Sequence, residues 1–261
     1  MTQQLFLSLI SCVAVGATAA YLGTLMMEKK MSLVAGPLGH LALPGVALGL
    51  IYGFDISLGA FPFIILGIII IWLLEILTHL PTEALTAIVF ATGVAAAFLF
   101  LPIEQAEIAL VGDIESIGLQ GAIITVLLSI FIFFVIKKIF SAMILINISE
   151  DLAKIEKINI KKYNFIYLMA IAIIVALSVK LVGTLLTAAL IALPAATAKN
   201  LSKSIKNYTI LSFVFGILAP ILGLAIFKST GLPAGILIIL SGALFFLISV
   251  FVKHLLSATN N

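Results

Sequence analysis

His40 stands in a run of small and apolar residues, Gly36-Pro37-Leu38-Gly39-His40-Leu41-Ala42-Leu43-Pro44-Gly45. A neutral imidazole is a common ligand for zinc, manganese or iron, so His40 is the group through which this chain could touch a transition metal. The same side chain could instead be a hydrogen-bonded packing histidine inside a membrane, and its position alone leaves both readings open. His79 and His254 fall at the ends of apolar runs, where water would solvate them. Glu75 lies about one turn from the end of its run, within reach of the interface or a neighbouring partner. Glu83 opens the next run, where it would complement a helix N-terminus. Glu104, Glu107, Asp113 and Glu115 share a stretch without lysine. Their negative field could attract cations or meet a partner, although a solvated loop is the default. No Ser/His/Asp set or paired carboxylates suggest a hydrolase. A Gly-x-x-x-x-Gly-Lys-Ser/Thr phosphate loop is absent, so this chain cannot bind ATP in that way. Energy must then come from another polypeptide or from an ion gradient. Gradient-driven carriers usually keep carboxylates near mid-membrane, and no Asp or Glu falls in the centre of any run long enough to span.

The elements that must position these residues are membrane helices. Of 261 residues, 63% are hydrophobic and 10% charged, and the mean hydropathy is +1.34. A bilayer crossing takes about 20 apolar residues, which leaves room for eight or nine crossings in one transmembrane domain over residues 1–261. Spans are predicted near Leu5–Met27, Leu38–Phe54, Ile56–Leu77, Ala84–Leu101, Leu119–Ile136, Tyr163–Val179, Leu181–Ala198, Tyr208–Phe227 and Leu232–Val252. All 14 basic residues are lysines, which removes the bidentate arginine fork from the available chemistry. Twelve of them (Lys29, Lys30, Lys137, Lys138, Lys154, Lys157, Lys161, Lys162, Lys199, Lys203, Lys206 and Lys253) fall on one set of loops, and only Lys180 and Lys228 on the other. The excess of positive charge on cytoplasmic loops then predicts an N-out, C-in chain with nine crossings. At Lys180 two crossings abut with almost no loop, and re-entry there would reduce the count to eight. Ala17-Thr18-Ala19 imitates a signal-peptidase site, but no positive charge precedes the apolar run, so a retained first helix is expected. Cys12 has no partner for an intramolecular disulfide and reads as core filler.

One loop, about 147–162, holds an amphipathic segment from Ser149 to Ile158. Ser149 can cap its first turn, and Glu150 and Asp151 suit the positive end of its dipole. Leu152, Ile155 and Ile158 form an apolar stripe, while Lys154, Glu156 and Lys157 point elsewhere. Periodicity leaves two readings open: a helix lying along the membrane as an anchor, or one that docks a cytoplasmic partner. Pro44 and Pro194 each remove a helical hydrogen bond and are expected to interrupt their spans. Gly36, Gly39, Gly45, Gly183, Ala195, Ala196 and Ala198 would let helices approach closely along movable seams.

The run from Met31 to Leu48, with its His-x-x-x-Pro-Gly at His40, Pro44 and Gly45, resembles the start of the second span in permeases of zinc, manganese and iron ABC importers. Val182-Gly183-Thr184-Leu185-Leu186 followed by Pro194-Ala195-Ala196-Thr197-Ala198 is similar to a second motif of that family. Order, spacing and length agree across essentially the whole chain. The resemblance implies an all-α polytopic permease of the type II ABC importer kind, working as a homodimer in a prokaryotic cell membrane. It also implies that a metal cation passes through, delivered by an extracytoplasmic metal-binding protein and driven by separate cytoplasmic ATP-binding subunits, with no cofactor resident here and no nucleic-acid partner. In this reading Gly36, His40, Pro44, Gly45, Gly183, Pro194, Ala195 and Thr197 belong to the pathway and its gates. The segment Ser149, Glu150, Asp151, Leu152, Ala153, Lys154, Ile155 and Ile158 corresponds to the family's coupling helix, seated in a groove of the ATPase. The family often carries an aspartate four residues before the histidine, where this chain has Gly36. Import of metal chelates such as haem or siderophore is the alternative within the architecture, and a secondary cation carrier the alternative outside it.

Overall fold

The computed structural model describes residues 3–29, 31, 34–54, 56–100 and 117–258. The acidic stretch of Glu104, Glu107, Asp113 and Glu115 lies outside the described residues, as do Lys30, Ser32 and Leu33. Ten helices follow one another among the described residues: α1 (Gln3–Glu28), α2 (Ala35–His40), α3 (Leu43–Tyr52), α4 (Ile56–Thr78), α5 (Thr82–Phe100), α6 (Leu119–Ile148), α7 (Glu150–Ile155), α8 (Ile160–Leu201), α9 (Ile205–Thr230) and α10 (Ala234–Ala258). Hydrocarbon offers backbone groups no partners, so a spanning chain must close its own hydrogen bonds, and helices do so. Among the described residues six stretches are long and apolar enough to cross a membrane: Gln4–Glu28, Leu58–Thr78, Leu119–Ile148, Ile160–Thr184, Ile205–Thr230 and Ala234–Leu255. Thr82–Ala95 and Leu186–Leu201 are shorter apolar helices. The expected all-α polytopic fold is present.

α8 holds 42 residues and would be about 63 Å long if straight, twice the roughly 30 Å of bilayer hydrocarbon. It is not straight. Gly183 has φ 82° and ψ 170° inside it, a backbone region essentially reserved for glycine. Near one end, the Asn164 Oδ1 accepts from Lys29 Nζ at 2.8 Å; near the other, Lys199 Nζ donates to Glu28 Oε1 at 2.7 Å. Two points 35 residues apart on α8 therefore meet adjacent residues at one end of α1, so α8 is a hairpin whose arms turn back at Gly183. The break expected at Lys180 falls three residues later.

The lysine-rich segments collect at the end where α1 finishes. Trp72 on α4 donates to the Lys161 carbonyl at 3.4 Å, and Asn200 of α8 contacts Ser249 and Lys253 of α10 at 3.1 and 3.4 Å. At the opposite end the Lys180 ammonium lies near Gly121, where α6 begins. Counting α2 with α3 as one segment and the arms of α8 as two, the described helices other than α7 form nine segments, six of them long and apolar enough to cross a membrane.

α1 packs through this bundle rather than beside it. A Cβ on Gly16 would stand 2.5 Å from the Gly216 carbonyl oxygen, so the absence of side chains is what lets α1 and α9 touch along their backbones. Buried hydroxyls tie α1 to two neighbours: Ser212 Oγ of α9 donates to the Ala20 carbonyl at 2.7 Å, and Thr18 Oγ1 donates to the Ser129 carbonyl of α6 at 3.2 Å. Cys12 is buried in an apolar cluster, as a core filler should be.

The second span is interrupted beside Pro44, as expected: it is two helices, broken at Leu41-Ala42, because Pro44 has no N–H to give the His40 carbonyl and the chain tightens there, with Ala42 N–H donating to the Gly39 carbonyl at 3.1 Å. Two other features differ from the sequence expectation. Pro194 does not interrupt its span; the only non-helical φ/ψ in α8 is at Gly183. α6 runs on to Ile148, twelve residues past the predicted end at Ile136, and carries α7 at its tip.

Candidate functional site

The two sequence motifs meet. α2 lies against the second arm of α8: a Cβ on Gly39 would stand 2.8 Å from the Thr184 carbonyl oxygen, and one on Gly36 would stand 3.5 Å from the Ala188 Cβ. Further along the same arm, Gly23 of α1 faces the Ile191 carbonyl, with the Ala195 Cβ 3.2 Å from where its own Cβ would be. Gly45 packs backbone to backbone on Gly59 of α4, with Phe63 alongside. Small residues thus line the seams between α2 and this arm, between α1 and this arm, and between α3 and α4.

Threonines along the arm mostly return their hydroxyls to their own helix, Thr187 to the Gly183 carbonyl at 2.7 Å and Thr197 to the Leu193 carbonyl at 2.8 Å. That pattern satisfies a polar group in an apolar setting and bends helices slightly. Thr184 is different, since its Oγ1 is buried without a hydrogen-bond partner among the described residues, directly beside Gly183 and opposite Gly39. Pro194, Ala195 and Thr197 are buried.

His40 is half-buried at the end of α2, its ring 5.7 Å from that of Phe90. Phe90 lies eight residues into α5, about 12 Å from its start at 1.5 Å per residue. His40 therefore sits near mid-depth, deeper than the span-start position expected from sequence. No group of three or more His, Cys, Asp or Glu that could hold a metal ion occurs among the described residues. Gly36, one turn earlier, offers no ligand. His79 and His254 are exposed, as expected of residues at span ends. Glu75 accepts from Thr82 Oγ1 at 2.9 Å, and Glu83 occupies the first turn of α5.

At the lysine-rich end α7 is shorter than expected, six residues instead of the ten from Ser149 to Ile158. Ser149 caps it, accepting from the Leu152 N–H at 3.3 Å, and Glu150 and Asp151 sit in the first turn. It stops where Lys157 turns left-handed at φ 56° and the Ile158 N–H returns to the Ala153 carbonyl at 2.9 Å, a closure that satisfies the orphan carbonyls of a helix end. Ile158 is thus outside the helix. Ala153 is buried, whereas Leu152 is 48% and Ile155 73% exposed. The Lys154–Asp151 ion pair at 3.1 Å is solvent-exposed and adds little. Leu152, Ile155 and Ile158 border a shallow groove against Ser141, Ala142 and Leu145 of α6.

Lys29 ties this end together, a role sequence reasoning missed by counting it only as a topology charge. Its Nζ donates to Asn164 and lies 5.2 Å from the centre of the Tyr167 ring. Burial lowers the pKa of Lys29, while the fields of Glu75 and Glu150 act in the opposite direction. One ammonium therefore relates the end of α1 to α4, α7 and the first arm of α8. Replacing it with methionine removes the partner of a partly buried amide, at a cost of about 1–3 kcal/mol. Lys29→Met is accordingly expected to melt lower than the parent in detergent, with Lys29→Arg in between; equal midpoints would refute the tie.

Comparison with known proteins agrees with this architecture. The chain is 29% identical to the manganese import system permease protein ScaB of Streptococcus parasanguinis, over 96% of this chain and 94% of that protein. It is also 29% identical to the high-affinity zinc uptake system membrane protein ZnuB of Haemophilus influenzae, over 97% and 99%. Among solved structures it resembles PsaBC from Streptococcus pneumoniae in complex with Fab, with a TM-score of 0.80, 29% identity, and coverage of 95% of this chain and 91% of that one. The ABC 3 transport family matches residues 1–253, all but the last eight residues of a chain whose two motifs meet at mid-depth, and this protein belongs to that family.

Proposed function

We infer that this chain is the transmembrane permease of an ATP-driven importer that brings a divalent transition-metal cation, manganese, zinc or iron, into the cytoplasm. The observation that carries the reading is the full-length match to permeases of manganese and zinc import systems, joined to a mid-depth seam where the broken α2–α3 pass meets the kinked arm of α8. Hydrolysis of ATP belongs to separate cytoplasmic subunits, since this chain has no phosphate loop. An extracytoplasmic metal-binding protein hands over the ion, and two copies of this chain form the pathway between them. The lysine-rich end faces the cytoplasm, with the N-terminus outside and the C-terminus inside.

In the cycle, closure of the ATPases displaces α7, and α6 and the first arm of α8 carry that displacement into the membrane. Gly36, Gly45, Gly183, Pro194, Ala195 and Thr197 line the seams that open and close, where small side chains allow sliding and Gly183 and Pro44 allow bending. His40 contacts the passing cation. A lone imidazole is a weak ligand set, which suits a site that must release its ion as well as take it. A chelate importer is the less supported reading, because the relatives over the whole chain carry manganese and zinc in their names. A gradient-driven carrier is disfavoured by the same relatives and by the lack of mid-membrane carboxylates.

The test is uptake of zinc, manganese and iron by vesicles holding this chain with its ATPase and binding protein, with and without His40→Ala. ATP-dependent uptake of one ion, lost in the variant, is the expected result. Uptake that persists in the variant makes His40 structural, and an assembled complex that moves no free ion overturns the cation reading.

A further inference from the structure

Beyond transport itself, the structure points to a bound lipid. α6 and the first arm of α8 leave between them a crevice of about 570 Å³ at the surface of the chain. Its deeper walls are apolar, from Phe131, Val135, Ile166, Met169 and Ile173, and no acidic side chain lines it. At the end nearer the lysine-rich face, one lysine from each wall closes it, Lys138 and Lys162, with Tyr163 beside them. Both lysines are exposed, and neither makes an ion pair among the described residues.

We propose that this crevice holds one anionic phospholipid from the leaflet on the lysine-rich side, its phosphate between Lys138 and Lys162 and an acyl chain along the apolar walls. Two observations select that occupant. From Lys162 to Ile173 the wall runs eleven residues, about 16 Å, which matches the roughly 15 Å of one leaflet's hydrocarbon. The charge lies only at the mouth, at the level where tyrosine and lysine mark a membrane interface, so the crevice complements a molecule with an anionic head and an apolar tail. A free anion would have no use for the apolar walls, and a neutral lipid would have none for the lysine pair.

Lys137 and Lys161 provide an internal control. Each is the immediate chain neighbour of one mouth lysine, carries the same charge at the same level, and lies outside the crevice. The experiment titrates the full-length protein in neutral detergent with phosphatidylglycerol, phosphatidylcholine or inorganic phosphate, following retained lipid by native mass spectrometry and the melting midpoint. Phosphatidylglycerol is expected to bind and raise the midpoint, while phosphatidylcholine and phosphate do neither. The paired variant Lys138→Gln/Lys162→Gln should bind phosphatidylglycerol about 30-fold more weakly, from about 1 kcal/mol per lysine; Lys137→Gln/Lys161→Gln should stay within about threefold of the parent. Met169→Trp, which fills the crevice and keeps both charges, should also weaken binding. Equal losses in the two lysine pairs, equal binding of the two lipids, a phosphate effect lost with Lys138 and Lys162, or full binding by Met169→Trp would each overturn the proposal.

Discussion

Gly183→Ala is expected to abolish uptake and lower the melting midpoint while leaving synthesis of the chain intact. The backbone at Gly183, φ 82° and ψ 170°, lies where a Cβ is opposed by its own carbonyl groups, at about 1–3 kcal/mol. Energy is the smaller part of the effect. Alanine prefers the right-handed helical region, and relaxing this one residue into it straightens α8 toward a rod of about 63 Å. Such a rod cannot return Lys199 to Glu28 while Asn164 still meets Lys29, because those two contacts require the arms to lie side by side. It also pulls Thr184 away from Gly39 and so opens the seam between the two motifs. Thermal melting of the purified protein and vesicle uptake read the two consequences separately. Parent-like values in both would refute the hairpin's dependence on glycine at this position.

The second large effect concerns α7. Leu152 and Ile155 stand exposed on a helix whose buried face is Ala153, so aspartate at either position costs the isolated permease little. If α7 seats in an ATPase groove, each aspartate brings an unpaired carboxylate into an apolar contact. Truncating a central contact in such an interface typically costs 2 kcal/mol or more, equivalent to at least about 30-fold in affinity. Leu152→Asp and Ile155→Asp are therefore expected to lose co-purification of the ATPase and ATP-dependent uptake, with an unchanged melting midpoint. Lys154→Gln, on the solvated side and held only by an exposed ion pair, should retain both. Intact association in the aspartate variants would end the docking assignment.

Local chemistry was legible wherever local chemistry decides. The cap at Ser149, the acidic first turns at Glu150, Asp151 and Glu83, and the pairing of Glu75 all follow from groups within a few residues of one another. Helix ends were less legible. The stop before Ile158 depends on Lys157 entering a left-handed conformation, which lysine does without announcing it. Pro194 misled for a related reason: a proline costs a span one hydrogen bond, and whether the helix breaks depends on the neighbours that hold it. Here the break went to Gly183, where no Cβ opposes it.

By itself the sequence determined the solvent, the helical class, the segregation of twelve lysines from two, and the family whose motifs it carries, because apolar length, charge placement and residue type are properties of the chain alone. Only the tertiary structure decided that Lys29 and Glu28 hold the two arms of one hairpin, that His40 lies at mid-depth beside Phe90, and that Gly39 meets Thr184. Those contacts join residues more than a hundred positions apart, or, for His40 and Phe90, about fifty. Gly39 meets Thr184 because glycine removes the side chain that would keep the backbones apart, and which groups meet in all of these contacts is settled by packing the whole bundle.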